Sequence, residues 1–238
     1  MKQIYVFICI LCMLSSCSSI KSIAVNDGAL PFLGTVGKQE SSLLKSKFVA
    51  VGSPTLATPM QVTAQTIPFD KSSFKVYEAS KELKGSKSTV TYIDSLPNKP
   101  TYTILSIHDK IGLKEALNQE QNQEVKNYLI ADADYKLVST IAVVLTSQLL
   151  NKITDADALF LATDAHGLLQ MEVLSEKQKN IITIPQDALF DYTIMDACWR
   201  ANRYGKPMIE TFSENGKCPK GTEKDARKLN ELQSSLKL

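Results

Sequence analysis

The sequence predicts an α+β domain: a mostly antiparallel sheet, curled or forming a partly open barrel, with a helical middle and a C-terminal helix. Three observations predict it. Strand-like runs fall into two clusters, residues 47–107 and 136–184. A stretch with helical spacing separates them. Regular βαβ alternation, the mark of a parallel sheet, is missing. The apolar fraction of 44% and charged fraction of 22% suit a chain that buries a core.

Residues 47–51 form a short strand candidate, and residues 60–67 alternate Val62, Ala64 and Thr66 with Gln61, Thr63 and Gln65. Residues 73–78 and 88–94 also read as strands, through Phe74 and Val76 and through Val90, Tyr92 and Ile93. A Pro-Asn-Lys-Pro turn at 97–100 precedes a strand at 102–107 rich in β-branched and aromatic residues. Asp109 can then cap a helix. Leu113, Ala116 and Leu117 share a face with Val125, Tyr128 and Leu129, which gives one bent helix or two short ones over 110–130. Residues 136–146 are nearly all apolar, as in a central strand covered on both sides.

A three-stranded meander follows at 158–162, 168–174 and 180–184. Its turns are 163–167, where Gly167 can take positive φ, and 175–178. Residues 187–204 read as a helix ended by Gly205 and Pro207. Thr222-Glu223-Lys224-Asp225 resembles a capping box. Ala226, Leu229, Leu232 and Leu236 behind it form the stripe of the C-terminal helix.

The N-terminus has its own logic. Met1-Lys2-Gln3 is short and positive, and Ile4 to Leu14 is an unbroken apolar run. That run suits a signal peptide. It is shorter than the roughly 20 residues a membrane-spanning helix needs. Leu14-Ser15-Ser16-Cys17 resembles the lipobox of bacterial lipoproteins. The resemblance implies diacylglyceryl transfer to the Cys17 thiol, cleavage before Cys17 and acylation of the new amino terminus. It covers residues 1–17 and does not reach the domain. The expected organisation is a signal peptide at 1–16, a lipid-anchored tether at 17–45, rich in Ser, Gly and Pro, and one domain at 46–238. Ser18 after the cysteine, by analogy with enterobacteria, directs the expectation to the periplasmic face of the outer membrane.

Of the five cysteines only Cys198 and Cys218 lie in the domain, which makes them a disulfide candidate in an exported chain. The two histidines, His108 and His166, each have an acid nearby, Asp109 and Asp164. His108 sits where a strand meets a helix, and His166 sits in a hairpin turn where polar residues are expected. The Asp132/Asp134 and Asp155/Asp157 pairs lack the rest of a calcium loop and read as caps and turns. G-x-S-x-G, P-loop, G-x-G-x-x-G and H-E-x-x-H motifs are absent. No catalytic residue, metal or cofactor is therefore assigned. With 27 basic and 25 acidic residues, the net charge of +2 gives no case for nucleic acid.

Trp199, Arg200, Arg203 and Tyr204 form the best candidate partner contact. The expected function is a non-enzymatic envelope lipoprotein, a binding or structural module held to a membrane through lipid on Cys17, with an envelope protein or glycan as partner. The alternatives are a periplasmic hydrolase with a dispersed site and a barrel binding an apolar ligand.

Overall fold

The computed structural model describes residues 30–41, 46–95 and 97–229. The expected leader, Cys17, and Leu232 and Leu236 of the expected C-terminal helix lie outside the described residues.

The sheet is built around one strand. Residues Tyr135–Val143 are largely buried on both faces, and this strand, β5, is paired along both edges. One edge takes β9 (Leu189–Ala201). The other is shared: its second half pairs with β4 (Thr101–Ile107) and its first half with β1 (Val36–Ser41). Beyond β4 lie β3 (Met60–Pro68), β6 (Ala158–Thr163), β7 (Leu169–Ser175) and β8 (Gln178–Ile182). Beyond β9 lies β10 (Pro207–Ser213), and β2 (Ser46–Gly52) pairs with β1. All pairings among the described residues are antiparallel. The fold is α+β and dominated by the sheet, which does not close; β8 and β10 are edges.

Residues opposite one another in register share a face. Leu105, Ile107, Ile141, Val143, Leu161, Met171 and Val173 turn towards the main core. There they meet helix α2 (Lys110–Asn118) and helix α3 (Gln123–Ala131), separated by a 3-10 turn at Glu120–Asn122. The opposite face carries a polar row, Thr63, Ser106, Thr140 and Thr193, in register across β3, β4, β5 and β9. A short helix, α4 (Ser147–Thr154), links β5 to β6 and was not expected from the sequence.

Several expectations are corrected. Residues 73–78 are not a strand; they lie in helix α1 (Lys71–Leu83). Four residues of alternation cannot separate the two periods, and the cap decides. Asp70 accepts the Ser73 N–H at 2.6 Å, and the Ser73 hydroxyl accepts the Asp70 N–H at 2.9 Å. The helix lays Phe74 and Tyr77 onto Phe69, Tyr102 and Phe190, an aromatic cluster at one end of the polar face. Residues 88–93 form no strand; Tyr92 stacks on Phe74 at 4.9 Å and extends the same cluster.

Residues 187–204 are not a helix but mainly strand β9. Register shifts at Val138/Thr140 and Ala142/Val143 break its alternation against β5. Met195 to Trp199 are buried in succession because Met195, Ala197 and Trp199 enter the main core while the chain around Cys218 and Lys224 covers Asp196 and Cys198 on the other face. With alternation lost, the run imitates helical spacing.

Residues 30–41, expected as part of the tether, carry a turn and strand β1, and the remainder of the expected tether lies outside the described residues. Leu33 and Val36 are fully buried, and β1 hydrogen-bonds to both β2 and β5. The two glycines in 30–41 serve a turn and a close approach rather than looseness. Gly34 takes φ +82°, and Gly37 leaves room for the Phe48 ring.

Residues 214–229 form a strap on β9 in place of the start of a helix capped at Thr222. Trp199 and Glu223 exchange both backbone hydrogen bonds, at 2.7 and 2.8 Å. The Cys198–Cys218 disulfide is present. The Asp196 carboxylate, nearly buried, receives Lys136 from β5 and Lys224 from the strap. Helical residues begin only at Lys228, at the end of the described residues, after Asp225 accepts the Arg227 N–H, and Ala226 and Leu229 enter the core.

Both meander turns fall as expected. Asp164 accepts the N–H groups of His166 and Leu168, and Gly167 has φ +81°. In the second, Glu176 (φ +50°) and Lys177 (φ +66°) occupy the left-handed region that glycine or asparagine normally fills.

Candidate functional site

The sequence from Ala201 to Pro207 folds as the hairpin joining β9 to β10. Asn202 organises it: its side-chain oxygen accepts the N–H of Tyr204 at 2.9 Å and of Lys206 at 3.0 Å. Gly205 supplies the positive φ, +78°. The turn holds Arg203 and Tyr204 outward, with the guanidinium 4.7 Å from the ring centre, and Tyr204 is 71% exposed. Arg200 is exposed and lies 3.6 Å from Glu210 across the hairpin. Trp199 does not belong to this patch. It is 1% exposed and part of the main core, where it lies beside Ile209, its partner on β10.

Behind the tip, the hairpin and the α2–α3 pair enclose a cleft of about 260 Å³. Asn118, Gln123, Lys126 and Ile130 line one wall; Asn202, Lys206, Pro207 and Met208 line the other. The spacing of the walls is fixed by Asn118. Its amide donates to the Ile209 carbonyl at 2.8 Å and accepts the Ile209 N–H at 3.0 Å, so it pairs with β10 as a neighbouring strand would. Asn122 repeats the device. It binds the N–H and carbonyl of Thr55 at 2.7 and 2.9 Å and donates to the Ala116 carbonyl at 2.8 Å. Asn122→Ala leaves those groups unpaired and lowers stability by about 2 kcal/mol. Urea unfolding checks this, and a loss within experimental error would refute the clamp.

Lys126 is the unusual group in the cleft. It is 8% exposed and makes no hydrogen bond or ion pair with the described residues. Burial pushes its ammonium below the usual lysine range. Below that lowered value both folded and unfolded chains hold the proton, and the folded state bears the desolvation cost. The cost is relieved as pH rises towards the ordinary lysine value, because the unfolded chain then binds more protons.

The other expected groups are dispersed. His108 is exposed at the end of β4, and His166 is exposed in the β6–β7 turn. No cluster of three or more metal-binding side chains occurs among the described residues. Asp132 and Asp134 face Lys38 at 2.7 and 3.4 Å. Asp155 caps the C-terminus of α4, and Asp157 accepts the Glu176 N–H. The Tyr192 hydroxyl is buried without a hydrogen-bond partner among the described residues, and burial pushes its pKa up to about 12.

Sequence reasoning missed Lys126 and Asn118. A signal existed for the first: Leu129 and Ile130 follow Lys126 at three and four residues, which puts it beside apolar neighbours on α3. Asn118 carried no such signal, because its partner lies 91 residues away. No protein family matches the chain, no curated protein matches its sequence, and no solved structure matches its fold at a significant level.

Proposed function

We propose that the chain is an envelope lipoprotein, cut before Cys17 and held by lipid on that cysteine at the periplasmic face of the outer membrane. Its domain acts as a non-enzymatic binding module. The observation that carries the reading is the Cys198–Cys218 disulfide in a chain that opens with a lipobox-like leader. Disulfides persist in oxidising compartments outside the cytosol, so the bond supports export independently of the leader. Stable anchoring by two or more acyl chains is what the lipobox chemistry supplies. No described helix is long and apolar enough to cross a membrane.

The contact surface in this reading is the β9–β10 tip with Arg200, Arg203 and Tyr204, where an envelope protein or glycan docks. An aromatic ring beneath a guanidinium offers both an apolar face and a charge. The open sheet is read as curled around its main core. The turn at Leu33–Gly34 supports this, because the Gly34 N–H donates to the Val138 carbonyl while Leu161 and Leu169 crowd the same glycine.

Metabolic labelling with radioactive palmitate tests the anchor. The wild-type chain takes up label and partitions into detergent; Cys17→Ala takes up none and partitions into buffer. A native protein that starts at another residue, or label that survives Cys17→Ala, refutes it.

A further inference from the structure

We propose that the cleft between the β9–β10 hairpin and helices α2–α3 binds a small carboxylate with a short apolar body, its charge held by Lys126 and Lys206. The inference rests on the domain being a binding module and names the ligand class of that module; it does not depend on the anchor.

Lys126 is more than nine-tenths buried, lines the cleft and has no counter-charge among the described residues. No acidic residue lines the cleft either. The Lys126 alkyl stem is buried, while the ammonium has no partner among the described residues and is not sealed from solvent, so it is open to an incoming anion. A ligand that brings the missing negative charge accounts for its position. Lys206 enters from the opposite wall, on a turn fixed by Asn202. The Asn202 side-chain oxygen is committed to that turn, so only its amide N–H groups can face an anion.

The rest of the lining selects the ligand's body. Ile130, Pro207 and Met208 are apolar and suit a carbon chain. The volume of about 260 Å³ exceeds the ~150 Å³ cavity that holds benzene and falls short of the ~300–1,000 Å³ of drug-sized sites.

The test is calorimetric titration of the full-length protein in a neutral detergent with hexanoate, hexanamide and hexylamine. Hexanoate binds saturably, and hexanamide and hexylamine do not. Lys126→Met weakens hexanoate binding by about tenfold or more, while its melting temperature is not lower than wild type, because methionine keeps the buried apolar stem and the ammonium has no partner among the described residues to lose. Met208→Glu, which leaves Lys126 intact and supplies an internal carboxylate, also abolishes binding. Equal affinity for hexanamide, unchanged affinity in Lys126→Met, or no saturable hexanoate binding in the wild-type protein overturns the proposal. Palmitate labelling of Cys17 is read separately, so a chain that is anchored but binds no carboxylate fails only this inference.

Discussion

Trp199→Ala lowers the stability of the domain by about 4 kcal/mol, the range of large core truncations, whereas Arg200→Ala, Arg203→Ala and Tyr204→Ala each change it by less than about 0.5 kcal/mol. The four residues are near neighbours in sequence, and the contrast arises from the strand. Trp199 is 1% exposed, faces the main core opposite Ile209, and carries the backbone pair with Glu223. Its removal opens a cavity beneath the strap, where Ala226 and Leu229 also pack. Arg200, Arg203 and Tyr204 are exposed at the hairpin tip and leave nothing buried unpaired when truncated. Urea unfolding of the four variants separates the two groups. A Trp199→Ala loss below about 1 kcal/mol would mean that the indole lies on the surface. If the tip is the contact surface, the three tip variants weaken partner capture while leaving the unfolding midpoint unchanged.

Removing the disulfide with Cys198→Ala and Cys218→Ala costs about 3 kcal/mol, the chain-entropy value for two cysteines 20 residues apart. The strap does not come loose in the folded protein. The Trp199–Glu223 backbone pair, the Lys224–Asp196 ion pair and the burial of Ala226 and Leu229 still hold it. The loss therefore appears as a lower global unfolding midpoint. Hydrogen exchange at the Glu223 N–H should keep pace with that of β9. Rapid exchange at Glu223 with an unchanged midpoint would show that the disulfide pins a peripheral flap. Adding a reductant to the wild-type protein gives the same shift in midpoint, which ties stability to the redox state expected of an exported chain.

The strand β5, the two short helices α2 and α3, the β6–β7–β8 meander and the cysteine pair were legible in the sequence because each depends on local pattern or on residue chemistry alone. An apolar run marks a doubly covered strand, helical spacing marks α2 and α3, and Asp164 with Gly167 marks a tight turn. The elements misread share a different cause. In α1 the alternation was too short to exclude a helix, and the Asp70–Ser73 cap outweighed it. In β9 the bulges against β5 shifted the pattern out of phase. In residues 30–41 a Gly- and Ser-bearing stretch gained its structure from β2 and β5.

What the sequence by itself determined is the α+β composition and the residues able to form a disulfide. Only the tertiary structure decided which way Trp199 faces, how Asn118 and Asn122 clamp distant backbone, and that Lys126 is enclosed without a counter-charge. The physical reason is that burial and pairing belong to contacts between segments far apart in the chain, and register, one residue at a time, chooses which side chain is buried.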